Sequence, residues 1–359
     1  MEKVRLGRTG MMVTKTSFGA LPIQRRSVEG GVAIFRRAYG GGINYFDTAR
    51  AYSDSEEKIG RAFTPAMRQN VYIATKTMAS KVEGFWGQLH ASLKELNTDY
   101  IDVYQFHNPA FVPRPGGEDG MYDAMMEAKR QGKIRYIGIT NHRLGIAEEA
   151  VASGLYDTLQ FPFSLLSGEP DMALLELCRQ YDIGFVAMKA LSGGLITDVR
   201  PTFAFLRQLP EVVPIWGVQH MHELEQLLAL DADPPALDDE MRAQIERDRT
   251  ALSGDFCRGC GYCLPCPADI EINMAARIYY LITRSPYKKF ITDAYQKKMA
   301  RAEDCIHCGA CKSRCPYGLD TPALVQKHYK LYKGFVRAHA DEVTAGDGGA
   351  NQGGGFLWH

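Results

Sequence analysis

Short runs of β-branched and aromatic residues alternate with amphipathic stretches from the start of the chain to about residue 230. The eight candidate strands are Thr16–Gly19, Ile43–Thr48, Val71–Lys76, Tyr100–His107, Ile134–Asn141, Thr158–Ser164, Gly184–Lys189 and Val213–Val218. The candidate helices between them include Ser55–Ala66, Val82–Leu96, Tyr122–Gln131, Gly145–Ala152, Asp171–Tyr181 and Met221–Leu230. The gaps have the length of βα units, and eight such units close into a barrel of ordinary size. The alternation therefore predicts an α/β fold, a (β/α)8 TIM barrel.

A doubly wound sheet would also alternate strands and helices, but the usual nucleotide-binding fingerprints are missing. No G-x-G-x-x-G follows the first strand, and no G-x-x-x-x-G-K-[ST] is present. Before the first barrel strand, Lys3–Leu6 and Met12–Thr14 flank the turn residues Gly7–Gly10. This pattern predicts an N-terminal hairpin that plugs the bottom of the barrel.

Two cysteine runs near the C-terminus predict a second, smaller module. The second run has the C-x2-C-x2-C-x3-C-P spacing of bacterial ferredoxins, and the first differs only in its last gap. In such pairs the cysteine before the proline serves the other cluster. The runs therefore predict two 4Fe–4S clusters with crossed ligation. One cluster would bind Cys257, Cys260, Cys263 and Cys315, and the other would bind Cys305, Cys308, Cys311 and Cys266.

Three other interpretations of the cysteines compete with this one. Pairs with C-x2-C spacing also hold structural zinc, but zinc needs only four ligands and each run carries four in close succession. Because the last gap of the first run is two residues rather than three, the chain could bind one cluster instead of two. A disulfide framework is disfavoured because eight of the nine cysteines lie between 257 and 315. The ninth, Cys178, sits in a helical pattern as a small buried apolar residue.

Charge and hydropathy restrict the partners and the compartment. The chain has 42 basic and 42 acidic residues, so its formal net charge of zero predicts no nucleic-acid binding. No apolar stretch is long enough to span a bilayer, and the N-terminus has no apolar signal core, so we expect no membrane association. With oxygen-sensitive clusters these absences predict a cytoplasmic protein.

We expect the barrel at residues 1–250, a mainly helical ferredoxin-like domain at 251–335 and a flexible glycine-rich tail at 336–359.

Reactive side chains occur where three successive candidate strands end. Asp47 ends the second strand, Tyr52 follows a few residues on, Lys76 ends the third and His107 ends the fourth. Active sites of such barrels lie at the carboxyl ends of the strands. Singly, Asp47 could cap a helix, Lys76 could be a surface lysine and His107 a core histidine. Together the four types predict an acid–base set, because an ammonium stabilises a phenolate and a carboxylate holds the ammonium.

These residues resemble the aldo-keto reductase superfamily over about residues 1–250. The segment Arg5–Gly10 is similar to its opening hairpin, and Gly42–Ala49 with Tyr52 is similar to its most diagnostic segment. The cysteine-rich C-terminus is similar to the branch of this superfamily that carries a 4Fe–4S ferredoxin-like domain. The resemblance implies an NAD(P)-dependent oxidoreductase that reduces a small carbonyl compound or oxidises an alcohol. It implies that Tyr52 is the general acid and that His107 directs the carbonyl.

The resemblance also implies an extended nicotinamide cofactor at the barrel mouth. Three residues would grip the carboxamide, one would stack on the nicotinamide ring, four would pass over the pyrophosphate and three would meet the adenosine. In that order they are Thr140, Asn141 and Gln160; Phe163; Leu191, Ser192, Gly193 and Gly194; and Gly217, Glu223 and Gln226. The segment after the eighth strand lacks the Arg or Lys that commonly pairs with an adenosine 2′-phosphate. We therefore expect weak selectivity for NADPH, with NADH at least accepted.

The role of the clusters stays open at this level. They could exchange single electrons with a redox partner protein, hold the predicted helices Ile270–Leu281 and Thr321–Tyr332 in place, or sense oxygen or redox poise. A protein of a different class is the alternative: an iron–sulfur electron-transfer or redox-sensing protein whose barrel only binds. The complete set of four reactive residues argues against that alternative.

Overall fold

The computed structural model describes residues 1–252, 254, 256–284 and 287–343. Its strands are β1 Lys3–Arg5, β2 Met12–Thr14, β3 Ser17–Gly19, β4 Tyr45–Asp47, β5 Tyr72–Thr77, β6 Ile101–His107, β7 Ile134–Thr140, β8 Thr158–Pro162, β9 Gly184–Met188 and β10 Val212–Gly217. Its helices are α1 Val28–Gly40, α2 Ser55–Ala62, α3 Pro65–Arg68, α4 Val82–Glu95, α5 Met121–Arg130, α6 Leu144–Ala152, α7 Glu169–Gln180, α8 Val199–Arg207, α9 Met221–Ala232, α10 Asp239–Ala251, α11 Ile272–Ala275, α12 Ile278–Arg284, α13 Asp293–Ala300, α14 Ala310–Ser313 and α15 Thr321–Ala338.

Eight parallel strands close into a barrel in the order β10-β3-β4-β5-β6-β7-β8-β9, which confirms the predicted fold. Each candidate strand is present, and its ends lie within two residues of the predicted bounds. Closure occurs where β10 pairs with β3, with Trp216 opposite Phe18. Because all eight strands are parallel, their carboxyl ends share one rim, which is where the reactive residues were predicted to meet.

The N-terminal hairpin plugs the opposite end of the barrel, as predicted. Strands β1 and β2 pair antiparallel, and Leu6 and Val13 are fully buried in the barrel core. Gly7 has a φ of +48°, and a Cβ there would lie 2.1 Å from the backbone nitrogen of Gly184, where β9 begins. Only a glycine therefore lets the hairpin approach the strand so closely.

Several predicted helices differ from the structure. The predicted helix Ile270–Leu281 is divided into α11, Ile272–Ala275, and α12, Ile278–Arg284. The predicted helix Ser55–Ala66 ends at Ala62, and the separate short helix α3 starts at Pro65, because a proline disfavours helical geometry in the residue before it. Helix α1 was not predicted, since its first turn contains Gly30 and Gly31. Gly31 is needed there because a Cβ would lie 2.7 Å from the Cδ atom of the fully buried Lys58.

Contacts divide the chain into two units. The first contains Met1–Ala190 and Arg200–Arg242, and the second contains Leu191–Val199 together with the residues from Ala243 onward. The described C-terminal residues are mainly helical, as expected. The predicted flexible tail at 336–359 is helical as far as Ala338, and residues 344–359 lie outside the described part of the chain. Among the described residues, no helix combines the length and apolar character that crossing a membrane requires.

Candidate functional site

An ion pair between Asp47 and Lys76 lies at the rim formed by the carboxyl ends of the strands. Strands β4 and β5 are neighbours, which brings Lys76 Nζ to 2.6 Å from Asp47 Oδ1. The same ammonium donates to the backbone oxygen of Thr48 at 2.7 Å. Lys76 is 0 % exposed and Asp47 is 2 % exposed. Both charges are thus removed from water and held by each other.

Burial shifts both members of this pair toward their neutral forms. It raises the pKa of Asp47, and the Lys76 ammonium partly offsets that rise. It lowers the pKa of Lys76, and Asp47 acts in the opposite direction. The Lys76 ammonium is therefore a stronger acid than a lysine on the surface, which suits a group that shares a proton with a neighbour.

Two glutamines complete the surroundings of Asp47. Gln105 Nε2 donates to Asp47 Oδ2 at 3.2 Å, and Gln160 Nε2 lies 3.4 Å from Asp47 Oδ1. Gln105 Nε2 also lies 3.2 Å from Gln160 Oε1. Gln105 was missed by the sequence reasoning. It lies two residues before the end of β6, and only the alternation of inward-pointing residues along that strand could have indicated it.

Tyr52 and His107 lie beside the ion pair. Their ring centroids are 5.9 Å apart with an interplanar angle of 83°, and Lys76 Nζ lies 5.3 Å from the centre of the Tyr52 ring. Burial and, to a smaller extent, the charge of Lys76 lower the pKa of His107 to about 3. The imidazole is thus neutral at pH 7 and can donate only one ring N–H. The structure brings together all four residues predicted to be catalytic.

A buried lysine fixes the turn that carries Tyr52. Lys58 Nζ donates to the backbone oxygens of Ile23 at 3.0 Å and Arg26 at 2.8 Å, and to Asp54 Oδ1 at 2.6 Å. The segment after β3 is therefore linked to the residues just after Tyr52. Ser53, with a φ of +42°, sits in this turn. A serine adopts a positive φ less readily than a glycine does.

The residues predicted to grip a carboxamide are buried at the same rim. Thr140 ends β7, and Gln160 lies on the neighbouring β8. The Asn141 side chain makes two local bonds, since Nδ2 donates to Pro109 O at 2.9 Å and Oδ1 accepts from Arg143 N at 2.9 Å. Thr140 and Gln160 are each 1 % exposed.

Phe163, predicted to stack on the nicotinamide ring, is joined to β9, because its backbone N–H donates to the backbone oxygen of Met188 at 3.0 Å. It is 1 % exposed and packs edge-on against Phe185, with the ring centroids 5.4 Å apart. The Met188 side chain contacts the group predicted to grip a carboxamide, since its sulfur lies 4.0 Å from Thr140 Oγ1 and 3.8 Å from Gln160 Nε2. Sequence reasoning missed Met188 because a thioether in an apolar strand carries no signal of a site.

The segment predicted to meet adenosine follows β10. Gly217 and Gln226 are exposed, whereas Glu223 is used locally: its Oε2 accepts from the backbone N–H groups of Gln219 at 2.7 Å and His220 at 2.8 Å. This cap satisfies N–H groups at the start of α9. This segment itself has no Arg or Lys, as the sequence indicated. A cation reaches it from elsewhere in the chain: Arg25, in the segment after β3, donates to Gln219 Oε1 at 3.2 Å.

The four residues predicted to pass over the pyrophosphate are Leu191, Ser192, Gly193 and Gly194. Their contacts place them in the C-terminal unit. Ser192, Gly193 and Gly194 have φ values of +49°, +69° and +89°. Ser192 is 7 % exposed, and both glycines are exposed.

In the C-terminal unit the first cysteine run lies beside Cys315. Burial raises the pKa of Cys257; the N–H of Gly259 and the charge of Arg277 oppose this rise, while Cys260 and Cys315 add to it. Burial likewise raises the pKa of Cys263 well above its usual value, with Cys257 and Cys260 adding to the rise. Cys260 and Cys315 are thus near enough to Cys257 to raise its pKa.

The predicted ligands of the second cluster line one cavity. Its wall contains Cys266 from the first run and Cys305, Cys308 and Cys311 from the second. Arg314 holds the two runs together, since its Nη2 donates to the backbone oxygen of Pro265 at 2.9 Å. Cys266 therefore lies beside the cysteines of the second run.

Two sequence families match the chain. The Aldo/keto reductase family matches residues 17–203, and the 4Fe-4S dicluster domain matches residues 256–320.

Similar proteins were found among both curated sequences and solved structures. An uncharacterized oxidoreductase of Bacillus subtilis is 31% identical over 55% of this chain and 68% of its own length. An NADH-specific methylglyoxal reductase of Escherichia coli is 28% identical over 55% of this chain and 69% of its own length. A crystal structure of an aldo-keto reductase from Klebsiella pneumoniae in complex with NADPH is 23% identical, with a TM-score of 0.59, over 68% of this chain and 94% of its own.

Proposed function

Because this chain belongs to the aldo/keto reductase family, we propose that it reduces a small aldehyde or ketone, or oxidises the corresponding alcohol, with a nicotinamide dinucleotide. It is an NAD(P)-dependent oxidoreductase whose C-terminal part matches a 4Fe-4S domain. The observation that carries the proposal is the buried Asp47–Lys76 pair, with Tyr52 and His107 beside it.

The side chains at the rim suit a nicotinamide dinucleotide. Gln105 Oε1 and His107 Nδ1 are buried and have no hydrogen-bond partner within the described residues. Thr140 and Gln160 would hold a carboxamide, and we assign the position beside the ring to Met188 rather than Phe163. When bound, the cofactor supplies or accepts the hydride at the carbonyl carbon.

The protein's own residues handle the proton. As the carbonyl carbon gains the hydride, its oxygen becomes negative and takes the proton of Tyr52. The Lys76 ammonium stabilises the phenolate that remains, and Asp47 keeps that ammonium in place. The neutral His107 donates one N–H to the carbonyl oxygen and so orients the substrate. In the direction of alcohol oxidation the phenolate takes the proton back.

Arg25 bears on the choice of dinucleotide. Its guanidinium at Gln219 lies beside the segment expected to meet the adenosine. We therefore propose that both NADH and NADPH are used. The NADH specificity in the name of the Escherichia coli relative and the NADPH in the Klebsiella pneumoniae structure indicate that similar proteins use either one.

We propose two 4Fe–4S clusters with the crossed ligand sets given above. The four thiols of the second set line a cavity, and no three Cys, His, Asp or Glu side chains among the described residues converge on a single ion. The sequence spacing of the two runs, with four cysteines in close succession in each, suits a 4Fe–4S cluster better than one zinc ion. When bound, the clusters exchange single electrons. Ile306, next to Cys305, is 65% exposed, which supports contact with a redox partner protein.

The test uses reconstituted full-length protein, kept anaerobic, with NADH or NADPH and a panel of small aldehydes and ketones. Tyr52→Phe should lose roughly 10²–10⁴-fold in turnover while still binding the dinucleotide. Tyr45→Phe is the matched control, because the Tyr45 hydroxyl is buried without a partner in the described residues. Near wild-type turnover in Tyr52→Phe would refute the assignment. Bleaching of the clusters by the dinucleotide without any carbonyl would favour the electron-transfer alternative.

A further inference from the structure

The segment Leu191–Val199 has a backbone that must be held in place. It follows β9 in the chain, and its residues Ser192, Gly193 and Gly194 all have positive φ. A serine adopts this conformation less readily than a glycine, and glycines lose much conformational freedom when they are fixed. Such a run persists only where surrounding groups restrain it.

Two arginines of the C-terminal unit supply that restraint. Arg277 Nη1 donates to the backbone oxygen of Gly193 at 2.8 Å, and Arg284 Nε donates to that of Leu195 at 2.8 Å. Arg284 is itself paired with Asp248. Both ends of the glycine pair are thus fixed by side chains from α12 and the residue before it.

Arg277 also contacts the first cysteine run. A Cβ added at Gly259, between Cys257 and Cys260, would lie 2.5 Å from Arg277 Cζ, and a Cβ added at Gly193 would lie 3.0 Å from its Nη1. The guanidinium therefore fits between two glycines, one in each segment. The N–H of Gly259 in turn lies 3.4 Å from Cys257 Sγ. One side chain thus joins the cysteine run to the loop.

We propose that Arg277 is a positioning residue that fixes the loop Leu191–Gly194 in its cofactor-binding conformation only when the first cysteine run is folded around its cluster. Assembly of the cluster then raises the affinity for the nicotinamide dinucleotide, without electron transfer between them. This inference rests on the proposed function, because it takes the loop to bind the pyrophosphate. Arg277 acts through the loop and need not touch the cofactor.

The experiment compares Arg277→Gln, Arg277→Met and Arg277→Lys with wild type in the anaerobic full-length protein. Arg301→Gln is the matched control, because Arg301 is an arginine of the same unit whose bonds go to Ala268 and Asp304. Three quantities are measured: iron content, amide hydrogen exchange of residues 191–196 without dinucleotide, and the dissociation constants for NADH and NADPH by fluorescence titration.

We expect Arg277→Gln to keep its iron, to speed exchange in the loop and to weaken dinucleotide binding about tenfold, equivalent to about 1.4 kcal/mol. The KM for the dinucleotide should rise in parallel while kcat at saturation stays within about twofold. Arg277→Lys should recover part of the affinity, and Arg301→Gln should match wild type. Iron-depleted wild type should show the same weakening, and iron depletion of Arg277→Gln should add little, because both break one connection.

If amide hydrogen exchange of residues 191–196 is the same in Arg277→Gln as in wild type, Arg277 does not fix the loop and the proposal is wrong. Faster exchange with unchanged affinity would overturn the link to cofactor binding. If Arg277→Gln fails to keep iron, Arg277→Met decides, since its side chain fills the space between the glycines without donating. A wild-type protein that binds neither dinucleotide would refute the proposed function. The exchange measurement would still show whether Arg277 fixes the loop.

Discussion

Replacing Asp47 with asparagine should destabilise the barrel by about 3–5 kcal/mol, the usual cost of removing one partner of a buried ion pair. The two charged atoms are 2.6 Å apart, and the residues are 0 % and 2 % exposed. At that separation the attraction is about 6 kcal/mol at an effective dielectric constant near 20 and about 1.6 kcal/mol in water. Asparagine keeps the shape but leaves the ammonium of Lys76 without its charge partner.

A double-mutant cycle isolates the pair. Lys76→Met leaves Asp47 buried alone, and since burial already raises the pKa of Asp47, that carboxylate takes up a proton and becomes neutral. The double variant buries no charge at this position. We therefore expect it to be more stable than the sum of the single effects predicts, by about 2–3 kcal/mol.

Urea unfolding followed by tryptophan fluorescence is the assay. Trp86 and Trp216 both lie in the barrel unit, and Trp358, which is outside the described residues, is first replaced with phenylalanine.

The same variants should also change the pH dependence of kcat. Asp47 raises the pKa of Lys76, so its loss should move the alkaline limb of the kcat profile to lower pH. Additive single effects, within about 0.5 kcal/mol, would refute the reasoning.

Three further predictions follow from other parts of the chain. Burial lowers the pKa of His107 to about 3 and that of His328 to about 4, below the usual value of about 6.5. As the pH falls, the unfolded chain binds protons at these histidines before the folded chain does. The free energy of unfolding should therefore be highest above about pH 6.5 and should fall as the pH drops toward 4. A free energy of unfolding by urea that does not change over this pH range would contradict this prediction. Gly60→Ala should destabilise by about 1–3 kcal/mol, because its Cβ would lie 2.1 Å from the backbone oxygen of Glu95, whereas Gly87→Ala, in open space, should stabilise by roughly 0.5–1 kcal/mol. Anaerobic reconstitution should give about eight iron atoms per chain, four per cluster, and a value of about four by chemical analysis would leave room for one cluster only.

The barrel could be predicted because its strands are continuous apolar runs at regular spacing, and the rim residues because they end those runs. Helix α1 could not be predicted, since the reason for Gly31 is the buried Lys58, which is distant in sequence. Met188 and Gln105 belong to the site through neighbours on other strands, and a thioether or an amide within a strand has no pattern of its own. The place of the loop Leu191–Val199 depends on Arg277 and Arg284, more than 75 residues away.

The pairing of β10 with β3 also has a consequence for synthesis of the chain. Phe18 and Trp216 are partners across the closing seam, so the seam cannot form until the ribosome has released nearly the whole barrel. At about 5–20 residues per second, the first barrel strand waits about 10–40 s for its last neighbour. During that interval the nascent barrel exposes an unpaired strand edge at each side, and the cysteine runs have not yet emerged. The unpaired edges are therefore exposed before the cysteine runs can bind iron, and they are covered once β10 has paired with β3.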